Sequence, residues 1–126
     1  MDKKIVFTAN APAPIGPYSQ AVKCGNTLFI SGQLGTDPAT NQLAPFAEEQ
    51  TEQALRNMQA ILASEGLTMD NVVKTTVFLD NFGDFDTMNT VYANFFTSGS
   101  APARSCVEVE ELPKGALVEI EAIACF

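Results

Sequence analysis

Histidine is absent from the 126 residues. Its absence excludes Ser-His-Asp and Cys-His catalysis, histidine-based zinc sites, and the histidine acid/base pairs of many metal-free ribonucleases. Chemistry in this chain has to run on Arg, Glu, Tyr, Cys, backbone groups and water. Basic side chains are scarce as well: seven Lys and Arg stand against fifteen Asp and Glu, a formal charge of -8. That balance opposes the phosphate neutralisation on which nucleic-acid affinity depends, so no nucleic-acid partner is expected. Only three cysteines occur, Cys24, Cys106 and Cys125. They have neither C-x-x-C spacing nor an even count, so they read as reduced thiols rather than a disulfide framework or a zinc site. Long apolar runs are missing too. After Met1-Asp2-Lys3-Lys4 the chain offers only Ile5-Val6-Phe7, far short of a signal-peptide core or a spanning helix, and the expected location is the cytoplasm, away from any membrane. With no Pro/Gly/Ser-rich linker, charge block, repeat or low-complexity segment, residues 1–126 read as one domain.

Material for a core is present. Hydrophobic residues make up 46% of the chain, and folding at this length hides roughly two thirds of the unfolded surface. Lys4 to Thr8 is a candidate strand, and the proline-rich stretch Ala11 to Pro17 must be an extended loop. Ser19 to Lys23 and Thr27 to Ser31 read as strands around a Gly25-Asn26 turn, with Gly32 and Gly35 ending or bulging the second. Leu55, Met58, Ile61 and Leu62 recur at helical spacing between Phe46 and Glu65, with Glu48 and Glu49 near the start and Gly66 past the end. Val72 to Leu79 is a strand. Asp84 is a candidate N-cap for a second amphipathic helix through Phe85, Met88, Val91, Tyr92, Phe95 and Phe96, stopping near Ser98-Gly99. Ala103 to Val109 and Leu117 to Ala124 are the last strands. The order βββαβαββ predicts an α+β domain, one sheet with both helices on one face.

Alternation adds detail. Val118, Ile120, Ala122 and Ala124 form an all-apolar side of the final strand that should meet the helices. Arg104, Cys106 and Glu108 share one side of the strand before it. Grouped with Leu117, Glu119 and Ile123, they suggest a mixed, uncovered sheet face suited to self-association, with Arg104 and Glu119 lining a crevice between subunits.

Within that crevice Arg104 can hold a carboxylate through two parallel hydrogen bonds; the ordinary alternative is an ion pair with Glu108, Glu119 or Glu121. Glu119 among apolar neighbours can act on a water molecule, or can be a solvated strand carboxylate. Cys106 reads better as a small buried hydrophobe than as a nucleophile, because no base stands by to activate it. Tyr18, at a loop-to-strand junction, either reaches a ligand with its hydroxyl or packs its ring. The Ser31-Gly32-Gln33-Leu34-Gly35 segment has neither a P-loop lysine nor a dinucleotide fingerprint.

The run Ala101-Pro102-Ala103-Arg104-Ser105-Cys106-Val107-Glu108-Val109, then Leu112-Pro113-Lys114 and Val118-Glu119-Ile120-Glu121-Ala122-Ile123-Ala124, resembles the signature of the Rid family of reactive intermediate deaminases. The resemblance extends through Ile15-Gly16-Pro17-Tyr18-Ser19-Gln20-Ala21, Phe29-Ile30-Ser31-Gly32-Gln33 and Asp84-Phe85 with Asn89, Val91-Tyr92 and Phe95-Phe96. It implies the RidA branch, a chorismate-mutase-like fold, and a barrel-like homotrimer with sites in the clefts between subunits. It further implies hydrolysis of 2-aminoacrylate, its tautomer 2-iminopropanoate and 2-iminobutanoate to 2-oxo acids and ammonia, without metal or organic cofactor. By the same resemblance Arg104 binds the substrate carboxylate and Glu119 positions water, while Tyr18, Gly32, Asn89 and Cys106 complete the pocket. Members of the family also carry the labels endoribonuclease and translation inhibitor. That reading, and a non-catalytic carboxylate-binding trimer, are the alternatives; the former is opposed by the missing histidines and the acidic charge, the latter by a second carboxylate beside an anionic ligand.

Overall fold

In the computed structural model, which describes residues 2–126, a six-stranded sheet in the order β1-β2-β3-β8-β6-β7 carries two helices on one face. The strands are β1 (Lys3–Val6), β2 (Ala21–Cys24), β3 (Thr27–Leu34), β6 (Val72–Leu79), β7 (Ala103–Glu108) and β8 (Val118–Cys125), and the helices are α1 (Ala47–Ser64) and α2 (Phe85–Ala93). A separate small hairpin pairs β4 (Thr36–Asp37) with β5 (Gln42–Leu43), an addition to the expected order. Among the described residues no helix is long and apolar enough to cross a membrane.

The connections follow from strand direction. β6 and β7 are parallel neighbours, which a tight turn cannot join, and α2 supplies the crossover. β8 lies antiparallel to both β3 and β6 and fills the gap that the α1 crossover leaves between them. α1 forms where the sequence places its apolar stripe. Leu55, Met58, Ile61 and Leu62 are all fully buried, and truncating one to Ala costs about 2–5 kcal/mol. The helix ends where Gly66 takes φ 72 and Leu67 N–H reaches back to Leu62 O at 2.9 Å. The apolar side of β8 behaves as expected: Val118, Ile120, Ala122 and Ala124 are buried under the helices.

α2 is shorter than expected, ending at Ala93. Asp84 occupies its N-cap position but makes no side-chain capping bond. The cap belongs instead to the preceding 3-10 turn Phe82–Asp84, where Asn81 Oδ1 accepts from Gly83 N at 2.7 Å.

One extra residue interrupts β3. Ile30 pairs with Ala122 and Gln33 with Ile120, so three steps on β3 match two on β8 and the strand bulges at Ser31-Gly32. Buried amides lock this region. Gln20 Nε2 donates to Thr8 O, Ala11 O and Pro12 O at 3.0, 3.2 and 2.9 Å, and its Oε1 accepts from Thr8 N at 2.7 Å. Ser31 Oγ donates to Ser19 O at 2.6 Å. The proline-rich loop is therefore stapled beside the bulge. From the other side Asn57 Nδ2 on α1 donates to Leu34 O and Thr36 O, fixing the end of β3.

Candidate functional site

Residues directly opposite one another in a sheet project to the same face. Arg104 lies opposite Thr75, and Thr75 opposite Ala122; Cys106 lies opposite Val77, and Val77 opposite Ile120. Thr75, Val77, Ile120 and Ala122 are buried under the helices, so Arg104 and Cys106 belong to the helix side. Glu119 lies opposite Phe78, which lies opposite Val107, on the uncovered side. This corrects the membership of the expected mixed face: Arg104 and Cys106 do not share it with Glu119, and Cys106 and Leu117 pack against the helix-side core. The uncovered face carries Lys74, Glu119 and Glu121 together with apolar side chains, of which Ile5, Phe29 and Val107 are 55%, 49% and 43% exposed.

The candidate residues thus form two half-sites. In the first, Arg104 Nη1 donates to Asn89 Oδ1 at 2.6 Å, and the guanidinium lies 4.8 Å from the Tyr92 ring centroid and 5.7 Å from that of Phe85. Arg104 is half-buried and forms no ion pair among the described residues. The alternative of a structural pair with Glu108, Glu119 or Glu121 is therefore not realised; Glu108 Oε1 instead accepts from Phe82 N at 2.8 Å. A depression of about 490 Å³, lined by Asn89, Tyr92, Phe96, Pro102 and Arg104 among others, opens beside this group. Cys106, two residues along the same side, has its thiol pKa pushed up by burial, with Arg104 opposing.

The second half-site is a cleft of about 620 Å³ that brings together Tyr18, Ser31, Gly32, Lys114 and Glu119. The bulge makes room for the carboxylate: a Cβ on Gly32 would lie 2.7 Å from Glu119 Cδ. Burial pushes the Glu119 pKa above the ordinary 4.5, and the charge of Glu121 adds to the rise. Its carboxylate has no hydrogen-bond or ion-pair partner among the described residues. Tyr18 is 53% exposed, its ring turned out of the core, and its hydroxyl accepts from Ile15 N at 3.3 Å. Gln20 and Tyr92 are shaping residues that the sequence pattern passed over. Gln20 lies in the bend just before β2, within a stretch the alternation reads as strand, and Tyr92 in an apolar helical stripe, and neither pattern distinguishes a buried polar anchor from packing.

Within one chain the half-sites lie two strands apart across the sheet and, because Arg104 is level with Ala122, three residues apart along it, roughly 14 Å in all, and they open on opposite faces. A three- or four-carbon molecule cannot touch both. Each presents a group with chemistry to offer: an unpaired guanidinium fixed at one edge, and a proton-accepting carboxylate with an open cleft. Among the described residues no three His, Cys, Asp or Glu side chains converge as metal ligands.

The family model described as endoribonuclease L-PSP matches residues 8–126. A 2-iminobutanoate/2-iminopropanoate deaminase of Bos taurus is 54% identical over 97% of this chain and 89% of its own. A Rid-family protein of Yersinia pestis superposes with a TM-score of 0.96 at 47% identity, covering 99% of this chain and all of that one. TdcF of E. coli, crystallised with bound serine, superposes at 0.93 with 42% identity over 98% of both chains.

Proposed function

The chain belongs to the endoribonuclease L-PSP family, also called the Rid family, and from that premise we propose that it hydrolyses small 2-imino acids and their enamine tautomers to 2-oxo acids and ammonia. The observation that carries this reading is the unpaired Arg104 guanidinium, held ready for a planar anion, together with a water-accessible Glu119 of raised pKa. A half-buried guanidinium without a carboxylate partner favours an anionic ligand, and its fork matches a carboxylate in two parallel bonds. The serine bound by TdcF carries such a carboxylate.

The chemistry is short. Arg104 fixes the substrate carboxylate, so C2 of the imine is held beside water. Glu119 accepts a proton as the water oxygen adds to C2, and the imine nitrogen takes up a proton. The carbinolamine then breaks its C–N bond, ammonia leaves and C2 keeps a carbonyl oxygen. One imine and one water give one oxo acid and one ammonia. An imine is already electrophilic, so holding reactant and water together supplies much of the acceleration.

Because Arg104 and Glu119 face opposite sides of their own sheet, the reading requires two copies, one giving Arg104 and Asn89, its neighbour giving Tyr18, Gly32 and Glu119. The patches that meet are different, so the contact is heterologous and closes as a ring; three copies around one axis is the state proposed, in the cytoplasm. The exposed Ile5, Phe29 and Val107 on the uncovered sheet face support such burial. RNA cleavage, which the family's name suggests, finds neither a histidine nor a basic surface at a net charge of -8. Generating 2-aminoacrylate in situ with a serine dehydratase tests the activity: accelerated disappearance with this protein is expected, and unchanged decay refutes it.

A further inference from the structure

We propose that Tyr92 is a positioning residue for Arg104, its ring bedding the guanidinium while its hydroxyl is tethered to Thr75. The inference rests on the reading of Arg104 as the carboxylate-binding group. Phe85, Asn89 and Tyr92 follow one another at i, i+4 and i+7 on α2 and therefore share one face of the helix. All three contact the same side chain: Asn89 takes Nη1, and the rings of Tyr92 and Phe85 lie 4.8 and 5.7 Å from the guanidinium carbon. A stripe that a pattern of apolar residues would assign to the core is, over two turns, a cradle for one cation.

The hydroxyl separates positioning from packing. Tyr92 is buried, and its Oη lies 2.7 Å from Thr75 Oγ1 on β6, itself fully buried. A Phe and Val pair would fill nearly the same space without desolvating two hydroxyls, so core stability alone does not call for this arrangement. What the pair adds is a fixed depth and tilt for the ring. Thr75 is also the direct strand partner of Arg104, so the tether and the cation start from one rung of the sheet. Burial pushes the Tyr92 pKa up, against the opposing effects of Thr75 and Arg104, which keeps the phenol neutral beneath the cation. Phe96 packs against the Tyr92 ring with centroids 4.7 Å apart and the planes tilted by 40°, which further holds the ring. With Nη1 engaged and the ring below, Nε and Nη2 remain free for a carboxylate.

The test measures the affinity of the assembled protein for 2-oxobutanoate, by ligand-observed NMR titration, in the parent, Y92L, R104K and the double variant. A lysine ammonium has no planar face to lie on the ring, so an effect transmitted through Arg104 should disappear in that background. Y92L should weaken binding about tenfold beside Arg104 and hardly at all beside the R104K substitution. Equal losses in both backgrounds, or no loss in the first, overturn the inference. Y92F, which keeps the buried volume, decides the matter if Y92L does not assemble: about threefold weaker binding beside Arg104 alone is expected, and unchanged affinity overturns it. Parent-like binding by R104A would instead refute the carboxylate reading itself, whereas weak binding by R104A with normal binding by Y92L and Y92F refutes only the role of Tyr92.

Discussion

A Cβ placed on Gly32 would lie 2.7 Å from Glu119 Cδ and 2.8 Å from its Oε2, so the carboxylate is folded over a strand position that only glycine leaves open. The clash is with the far end of a flexible side chain rather than with backbone. Gly32→Ala should therefore fold with nearly the parent melting temperature while Glu119 swings out of place. Turnover of 2-aminoacrylate should fall by roughly tenfold to a hundredfold, the usual consequence of misplacing a reacting group by about 1 Å. An active Gly32→Ala enzyme would show that the position of Glu119 is immaterial.

The raised pKa of Glu119 has consequences of opposite sign for rate and stability. A base works only when deprotonated, so kcat should rise with pH through a midpoint above the ordinary 4.5. For stability, a carboxylic acid whose folded pKa exceeds its unfolded pKa favours the fold when protonated. Its contribution is complete below the ordinary value and is lost as pH rises through the raised one. Glu119→Gln, neutral throughout, should therefore melt higher than the parent at neutral pH and lose that advantage in acid. Thermal scans showing no advantage at neutral pH, or a larger one in acid, would contradict the burial of this charge.

Much of this arrangement was legible before the structure. The 3.6-residue stripe of α1 and the alternation of β8 are strong because each contrasts an apolar side with a polar one. β7 was misplaced for a physical reason: alternation says which residues share a side, not which side faces the helices. β7 is an edge strand, and its helix-facing residues Arg104 and Cys106 reach the margin of the helix layer, where polarity is tolerated. The β4–β5 hairpin consists of two-residue strands, too short to show any period. The tether between Tyr92 and Thr75 joins residues 17 apart through their hydroxyls, and no local pattern encodes such a pair.

Arg104→Lys keeps the charge but loses the planar fork and the guanidinium carbon that lies 4.8 Å from the Tyr92 ring centroid. Binding of an unreactive 2-oxo acid should weaken by about 1.5–3 kcal/mol, the range for a charge-assisted hydrogen bond. Turnover at limiting imine should fall with it. Calorimetry giving parental affinity would assign the carboxylate to another group.

Cys106→Ser should retain most of the deaminase activity. Burial holds the thiol pKa up, no base is placed to remove its proton, and the proposed reaction needs no covalent intermediate. Complete loss in a folded, assembled variant would argue for a nucleophilic thiol.

The central claim is that one copy's Arg104 and its neighbour's Glu119 act on the same imine. Arg104→Ala and Glu119→Gln should each be nearly inactive alone. Dissociated, mixed in equal amounts and reassembled, they should regain about a quarter of parental activity in the 2-aminoacrylate assay. Random assembly joins an intact arginine to a neighbour's intact glutamate at about one interface in four of a ring. Recovery near that level is the predicted result; a reassembled mixture no more active than the separate variants would contradict the shared site.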